Sequence, residues 1–408
     1  MVQIGEIYIG GKEMHPRNGN IYNSGVAFSL SKKSPVNGIY EFESGKWEVE
    51  IQKNNQNIVA RCRDILPEDQ ILRTGFDFCQ KYLDLLSVAQ KITLGIDNPG
   101  QEYILVFNHD DRMIGRIVTN GDLGISVEST VTVTDKDGNV VEQPPVPQPD
   151  WNPAFRYYRI SQSRSDLYDA YRNLYLAFES LMQDITPINP GERETDWLLR
   201  ALNNIGQKIT LQALVPDGKD PIPYIAGVYY EHFRCKTFHA KNRNYILPHE
   251  WADAEKLSEA YEGLLRIWRE AAVAFVNVPG GGSVVTFQGF MFLMDNMANQ
   301  GIRMQITDDP SPENIADTQI SPLGHSVYST TENSYVRDYR PGIVLFKGEF
   351  ECPDDIKFGS IHRIGLKSGE TLHSVAFYED GIKPLGIDKL ESHETFRLVN
   401  KSSPKIIF

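Results

Sequence analysis

The chain has 408 residues and a formal net charge of −13 at pH 7, because 54 acidic residues outnumber 41 lysines and arginines. That length predicts two or three domains, each large enough for its own core. The acidic balance argues against a protein that coats nucleic acid through a broad basic surface, although it leaves a local basic patch open.

Cysteine spacing and hydropathy predict the compartment. The four cysteines, at positions 62, 79, 235 and 352, include no CxxC pair, which argues against a disulfide framework or a zinc cluster. No apolar run reaches the roughly 20 residues of a membrane-spanning helix, and the N-terminus lacks the pattern of a signal peptide. We therefore expect a soluble protein of the reducing cytoplasm, with no membrane partner.

Residues 1–149 are predicted to form an N-terminal α+β domain. Short alternating runs such as EIYIGG, KWEVEIQ and EYILVFN are typical of strands. One helix is predicted over 67–90, where acids fill the first turn and apolar residues recur at 3,4 spacing. DKDGN at 135–139 favours a hairpin turn over a calcium loop, and the proline-rich residues 142–153 predict a stiff connector.

Residues 150–277 have a helical period. The first predicted helix starts at a capping Ser165 or Asp166, and the second covers ETDWLLRALNNIG and ends at Gly206. A third is predicted over 222–241 and a fourth over 251–276. Four helices in about 120 residues predict a compact four-helix bundle.

Residues 278–408 are predicted to form a β-rich C-terminal domain. VPGGGSV at 278–284 indicates a flexible hinge, because the Gly-Lys-Ser/Thr of a phosphate loop does not follow it. Strand signals then return in VVTFQGFMFL, GIVLFKGEFEC, LHSVAFYEDG and TFRLVN. The histidines of this segment have no metal-ligand spacing, so nothing in it indicates catalysis.

Arg234 and His239 stand five residues apart in RCKTFH, within the third predicted helix. On an ideal α-helix this spacing separates them by about 140° around the axis, so they do not share a face. They can act together only in a wide cleft, or across a two-fold axis beside the same pair from a second copy. The spacing therefore predicts a homodimer.

RNA cleavage requires little beyond such a pair. The ribose 2′-hydroxyl is an internal nucleophile, so a histidine can remove its proton or protonate the leaving 5′-oxygen, while an arginine stabilises charge on the phosphate. Neither a metal nor another cofactor is required. Basic residues that could bind the RNA backbone are Lys236, Lys241, Arg243 and Arg159, and Tyr157 and Tyr158 could stack on bases.

Three other interpretations of these residues stay open. Glu231 precedes Arg234 by three residues and could pair with it in a purely structural role, with His239 in the core. Cys235, four residues before His239, could be a thiol nucleophile. A metal-dependent hydrolase could draw its ligands from His232, His239 and His249.

The central segment resembles the HEPN family, on two stretches of sequence. RCKTFH matches a motif of Arg, four to six residues, then His in the third helix, and LAFESLM resembles the first helix of that family. The ApeA type, in which a β-rich domain precedes the helices, is the most similar group, and a weaker similarity is to MauJ-like proteins of methylamine utilisation.

The resemblance implies a metal-independent endoribonuclease, usually dimeric, of the kind found in toxin, antiviral and abortive-infection systems. It implies that Arg234 and His239 are the catalytic pair and that Glu179 orients Arg234. Cys235 departs from the family pattern, in which a polar Asn, Asp or His often follows the arginine.

The sequence thus predicts an α+β multidomain protein, in which a central all-α, HEPN-like four-helix bundle is flanked by β-rich N- and C-terminal domains. Its predicted function is a regulated RNA-cleaving toxin or antiviral effector. The flanking domains would sense a trigger or bind a protein or nucleic-acid partner, since an unrestrained ribonuclease would harm its host. The alternative is a non-catalytic dimerisation or adaptor protein.

Overall fold

The computed structural model describes residues 2–97, 100–121, 132–141, 149–164, 166–240, 245–280, 285–340, 342–351 and 359–398. These residues fall into two compact units. The β unit lies within Met1–Gly124 and Val285–Leu398, and the helical unit lies within Ile125–Val284. None of the described helices combines the length and the apolar character that crossing a membrane would require.

Fifteen described strands, all of them in the β unit, form two sheets of six and nine strands. The strands are β1 (Val2–Ile4), β2 (Ile7–Gly10), β3 (Ser24–Ser29), β4 (Gly38–Phe42), β5 (Trp47–Ile51), β6 (Asn57–Cys62), β7 (Tyr103–His109), β8 (Arg112–Gly121), β9 (Ile302–Thr307), β10 (Val327–Ser329), β11 (Glu332–Arg340), β12 (Ile343–Glu351), β13 (Ile361–Ser368), β14 (Thr371–Pro384) and β15 (Lys389–Arg397). The strand orders are β10-β9-β13-β14-β1-β2 and β11-β12-β15-β8-β7-β3-β6-β5-β4.

The helices of the two units are α1 (Glu68–Gln90), α2 (Ala154–Ser163), α3 (Leu167–Ile185), α4 (Glu194–Ile205), α5 (Pro221–Ile225), α6 (Cys235–Phe238), α7 (Trp251–Val276) and α8 (Phe287–Asn299). A π-helical segment, Ala226–Arg234, joins α5 to α6. Short 3₁₀ turns occur at Glu43–Gly45 and Leu211–Leu214.

The N- and C-terminal parts of the chain build the two sheets together. β1 pairs antiparallel with β14, with Val2 opposite Pro384, and β8 pairs in parallel with β15, with Ile114 opposite Lys389. Both parts also contribute to one hydrophobic core, in which Val106 and Phe346 are fully buried. The predicted fold class is therefore wrong about the segments that flank the helices, because they form one unit and not two separate β-rich domains.

α1 and α8 both belong to the β unit. The predicted helix over 67–90 is confirmed by α1, and Gly75 lets it approach the sheet, since a Cβ there would lie 2.4 Å from Cγ1 of Val26. The predicted strand VVTFQGFMFL is wrong, because α8 begins at Phe287. Its N-cap Thr286 accepts a hydrogen bond from the Gly289 N–H, and its buried side chains recur at helical spacing, namely Phe290, Met291, Met294 and Met297.

The helical unit is also more complex than the predicted four-helix bundle. α2 precedes the first predicted helix, and the third predicted helix is divided into α5, the π-helical segment and α6. The predicted helices over 251–276 and from Asp166 are confirmed by α7 and α3. The protein as a whole is a mixed α+β structure dominated by its two sheets, so the prediction of a central all-α bundle is wrong.

The predicted turn at 135–139 is confirmed. Gly138 N–H donates to the Asp135 carbonyl, and the isolated bridge between Thr134 and Val140 closes the hairpin. Most of the proline-rich connector, 142–148, and the glycine-rich residues 281–284 lie outside the described residues.

Candidate functional site

Arg234 is the last residue of the π-helical segment. Cys235 N–H donates to the Tyr230 carbonyl five residues back, which is the hydrogen bond of a π-helix. The segment is supported from two sides: the Tyr171 hydroxyl donates to the Tyr229 carbonyl at 2.8 Å, and the Tyr229 side chain lies against Gly263 of α7. π-helices are rare and often occur at functional sites.

His239 follows the end of α6 and is not helical. Its backbone angles, φ −127° and ψ 103°, are extended, and its side chain is exposed. The separation of about 140° expected for an ideal α-helix is therefore wrong, because Arg234 ends a π-helix and His239 lies beyond the last helical turn. The homodimer stays a prediction, without that geometric support.

One acid and three aromatic rings surround the Arg234 guanidinium. Its Nη2 lies 3.0 Å from Oε1 of Glu194, and its Cζ lies 5.9 Å, 5.4 Å and 5.3 Å from the ring centroids of Tyr175, Tyr230 and Phe238. The Arg234 side chain is 17% exposed and that of Glu194 is 37% exposed. The arginine is therefore held in place, yet one side of its ion pair opens to solvent.

Glu179 interacts with Arg234 through charge and not through a hydrogen bond. Burial raises the pKa of Glu179, the Arg234 guanidinium opposes that shift, and Glu194 adds to it. The buried Oε2 of Glu179 accepts no hydrogen bond from the described residues. Glu194, which no local sequence signal indicated, lies within ion-pair distance of Arg234, whereas the orienting role of Glu179 stays a prediction.

The loop that carries His239 is closed at its base by Tyr168 of α3. The Tyr168 hydroxyl donates to the carbonyls of Thr237, at 2.7 Å, and Ile246, at 3.0 Å. Ile246 N–H also donates to the Lys236 carbonyl at 3.1 Å. Tyr168 is therefore a positioning residue for the loop that starts at His239.

The predicted RNA-binding residues differ in how accessible they are. Lys236 is half-buried and Arg159 is exposed on α2, whereas Lys241 and Arg243 lie outside the described residues. The Tyr158 ring stacks on Trp268, with centroids 4.1 Å apart, so one of its faces is already covered. Tyr157 is the more accessible of the two predicted stacking rings, at 38% exposure.

Cys235 lies between the two catalytic candidates along the chain. Its side chain is half-buried and packs against the core of the helical unit. These contacts explain Cys235 as a packing residue, so they do not favour the interpretation of its thiol as a nucleophile.

The three histidines of the metal-dependent alternative lie apart. His249 pairs with Asp166, with 2.8 Å between Nε2 and Oδ2, and His232 contacts Phe233, with burial lowering its pKa. Within the described part of the chain, one group of three or more ligand-type side chains lies within mutual reach, and it is in the β unit. That group is His15, Glu48 and Glu50.

The His15 group is already balanced in charge by two arginines. The fully buried Arg61 contacts both Glu48 and Glu50 through Nη2, and Arg17 Nη1 lies 2.7 Å from Oε1 of Glu50. His15 Nδ1 accepts a hydrogen bond from Arg17 N–H. Two carboxylates and two guanidiniums sum to no net charge, so this cluster needs no cation and is explained as a structural ion-pair network.

Comparison of the chain with protein-family models, with curated proteins and with solved structures finds no match. The resemblance to the HEPN family is therefore limited to RCKTFH and LAFESLM. Any function assigned to the site depends on the contacts of Arg234 and on the position of His239.

Proposed function

We propose that Arg234 and His239 form a metal-independent RNA-cleaving site. The 2′-oxygen of a ribose attacks the adjacent phosphorus, the bond from phosphorus to the 5′-oxygen breaks, and the products are a 2′,3′-cyclic phosphate and a 5′-hydroxyl. His239 takes the 2′-hydroxyl proton or supplies the proton of the leaving 5′-oxygen, and water completes the other transfer. Arg234 stabilises the charge that builds on the phosphate oxygens.

One observation carries this proposal. The Arg234 guanidinium lies on the ring of Phe238, at 5.3 Å, and the next residue is the exposed His239. The π-helical segment also ends at Arg234, and π-helical backbone is rare and often occurs at functional sites. A phosphate could displace the Glu194 carboxylate, because guanidinium binds both anions in the same forked manner.

The test is incubation of the purified full chain with mixed tRNA and mRNA in the presence of EDTA. Cleavage that leaves 2′,3′-cyclic phosphate ends is expected, and His239→Ala should lower the rate by about 10²- to 10⁴-fold, the usual contribution of general acid–base catalysis. Arg234→Ala should also abolish most of the activity. His109→Ala, at an exposed histidine of the β unit, is the matched control and should cut normally.

A non-catalytic adaptor is the competing function, and one observation favours it. Glu194 and three rings already contact Arg234, as expected of an arginine with a structural role, although its buried Nε has no hydrogen-bond acceptor among the described residues. Expression in a host separates the two functions, since a toxin should slow growth unless His239 is replaced, whereas an adaptor should not. Absence of cutting in all conditions, or normal cutting by both Ala variants, would overturn the ribonuclease proposal.

A further inference from the structure

Arg172 of α3 shares the Phe238 ring with Arg234. The Arg172 Cζ lies 5.0 Å from the ring centroid of Phe238, and the Arg234 Cζ lies 5.3 Å from the same point. The two guanidinium carbons can therefore be no farther apart than the sum of these distances. Two guanidiniums therefore lie over one aromatic ring, and His239 is the next residue along the chain.

In the described part of the chain, Arg172 forms no ion pair, in contrast to Arg234, which pairs with Glu194. Residues 241–244, which follow the described segment of His239, read Lys-Asn-Arg-Asn and include no acidic residue. Glu194, whose side chain is 37% exposed, is the acid that pairs with Arg234 among the described residues.

The position of Arg172 is fixed by its own helix. Tyr168 precedes it by one helical turn on the same face of α3, and the Arg172 Cζ lies 5.9 Å from the Tyr168 ring. Tyr168 also holds both ends of the loop that starts at His239. One face of α3 thus links a partly exposed arginine to the segment that carries the catalytic histidine.

We propose that Arg172 binds a phosphate of the RNA substrate, next to the phosphate at which Arg234 and His239 act. This inference rests on the proposed function. A guanidinium recognises a phosphate through two parallel N–H donors, and an arginine with no acidic partner loses no ion pair when it does so. Arg172 and Arg234 then form a two-arginine clamp on successive parts of one RNA backbone.

The test measures RNA binding without cleavage. A fluorescently labelled single-stranded RNA is titrated with the full-length His239→Ala protein at several salt concentrations, and its anisotropy is recorded. Each phosphate contact to a single strand contributes about 0.7 to the slope of log K against log salt. Adding Arg172→Gln should weaken binding about tenfold and reduce the slope by about 0.7, whereas Arg172→Lys should keep the slope.

Arg266→Gln, at an exposed arginine of α7, is the matched control and should change neither quantity. An unchanged slope in Arg172→Gln, when Arg234→Gln lowers it, would overturn the Arg172 inference and leave the cleavage proposal standing. If the slope depends on Arg172 but the natural protein never cuts RNA, the cleavage proposal fails and the Arg172 inference stands. No RNA binding by the His239→Ala protein would overturn the inference. Equal slope loss in the Gln and Lys variants would overturn it too, because Lys keeps the charge that the proposed phosphate contact requires.

Discussion

Arg234 and Glu194 form an ion pair between the end of the π-helical segment and the first turn of α4, with 3.0 Å between Nη2 and Oε1. The Glu194 carboxylate is the more exposed partner. If the site binds RNA as proposed, a phosphate would compete with this carboxylate for the guanidinium. Glu194 would act as a restraint on the site.

Glu194→Gln should therefore bind RNA more tightly. A partly exposed ion pair of this kind contributes about 0.2–1 kcal/mol, so we expect the affinity to rise by about 1.4- to fivefold, with little change in stability. Anisotropy titrations in the His239→Ala background give the measurement. Asp196→Asn on the same helix, whose partner Arg193 is itself exposed, is the control. Weaker binding by Glu194→Gln would mean that Glu194 orients Arg234 and does not restrain it.

The sequence could predict the residue types of this site but not their partners. RCKTFH marks Arg234 and His239 because both lie within one short stretch of chain. Glu194 and Arg172 come from other helices, and their meeting with Arg234 and Phe238 depends on packing that no local pattern records. The π-helix could not be predicted either, since its composition differs little from that of an α-helix.

In the fold, too, local elements could be predicted from sequence, but contacts between distant segments could not. Alternating runs predicted strands such as β5, β7 and β12 correctly, because side chains alternate between faces along every strand. They could not predict that β8 pairs with β15, since partners far apart in sequence leave no local signal. The residues of α8 predict a strand from sequence, because a short apolar run fits both the helical and the strand period.

Gly263 should be required for the π-helical segment. An added Cβ would lie 2.2 Å from the Tyr229 hydroxyl, and Tyr229 is only 4% exposed, so the ring cannot turn away freely. We expect Gly263→Ala to lower the free energy of unfolding by about 1–3 kcal/mol. Urea unfolding followed by circular dichroism gives the value.

Gly227→Ala is the matched control for this substitution, because a Cβ at Gly227 meets nothing within 4 Å. It should leave stability unchanged or raise it by up to about 1 kcal/mol, through higher helix propensity. If both variants behave alike, then Gly263 does not support Tyr229 and the segment is held by other contacts.

Arg61 should be essential to the β unit. It lies directly opposite Glu48 in the pairing of β5 with β6, contacts Glu50 as well, and donates to the Tyr8 carbonyl at 2.6 Å. Arg61→Leu leaves two buried carboxylates without their main partner and should cost about 3–5 kcal/mol of stability.

A triple variant tests the cause of that loss. Adding Glu48→Gln and Glu50→Gln to Arg61→Leu removes the uncompensated charges and should recover part of the stability, as measured by thermal unfolding. No recovery would show that Arg61 contributes through packing alone, and not through the ion pairs.

Glu394 of β15 should make the stability of the β unit depend on pH. It is 3% exposed, lies between Phe346 of β12 and Thr119 of β8, and burial raises its pKa to about 7. Below pH 4.5, its ordinary pKa, Glu394 is protonated in both the folded and the unfolded protein, so its burial does not lower the free energy of unfolding. As pH rises from about 4.5 to about 7, the unfolded state ionises first, so stability falls by about 3 kcal/mol and then levels off.

Glu394→Gln cannot ionise and should lose this pH dependence. The difference in unfolding free energy between the variant and the natural protein should therefore be about 3 kcal/mol more favourable to Gln at pH 8 than at pH 4. Urea unfolding at the two pH values measures it, and Glu332→Gln, at an exposed position of β11, should show no such difference. Equal pH dependence in the Glu394 variant and the natural protein would mean that Glu394 titrates as an ordinary glutamate, so that its burial between β8 and β12 carries no electrostatic cost.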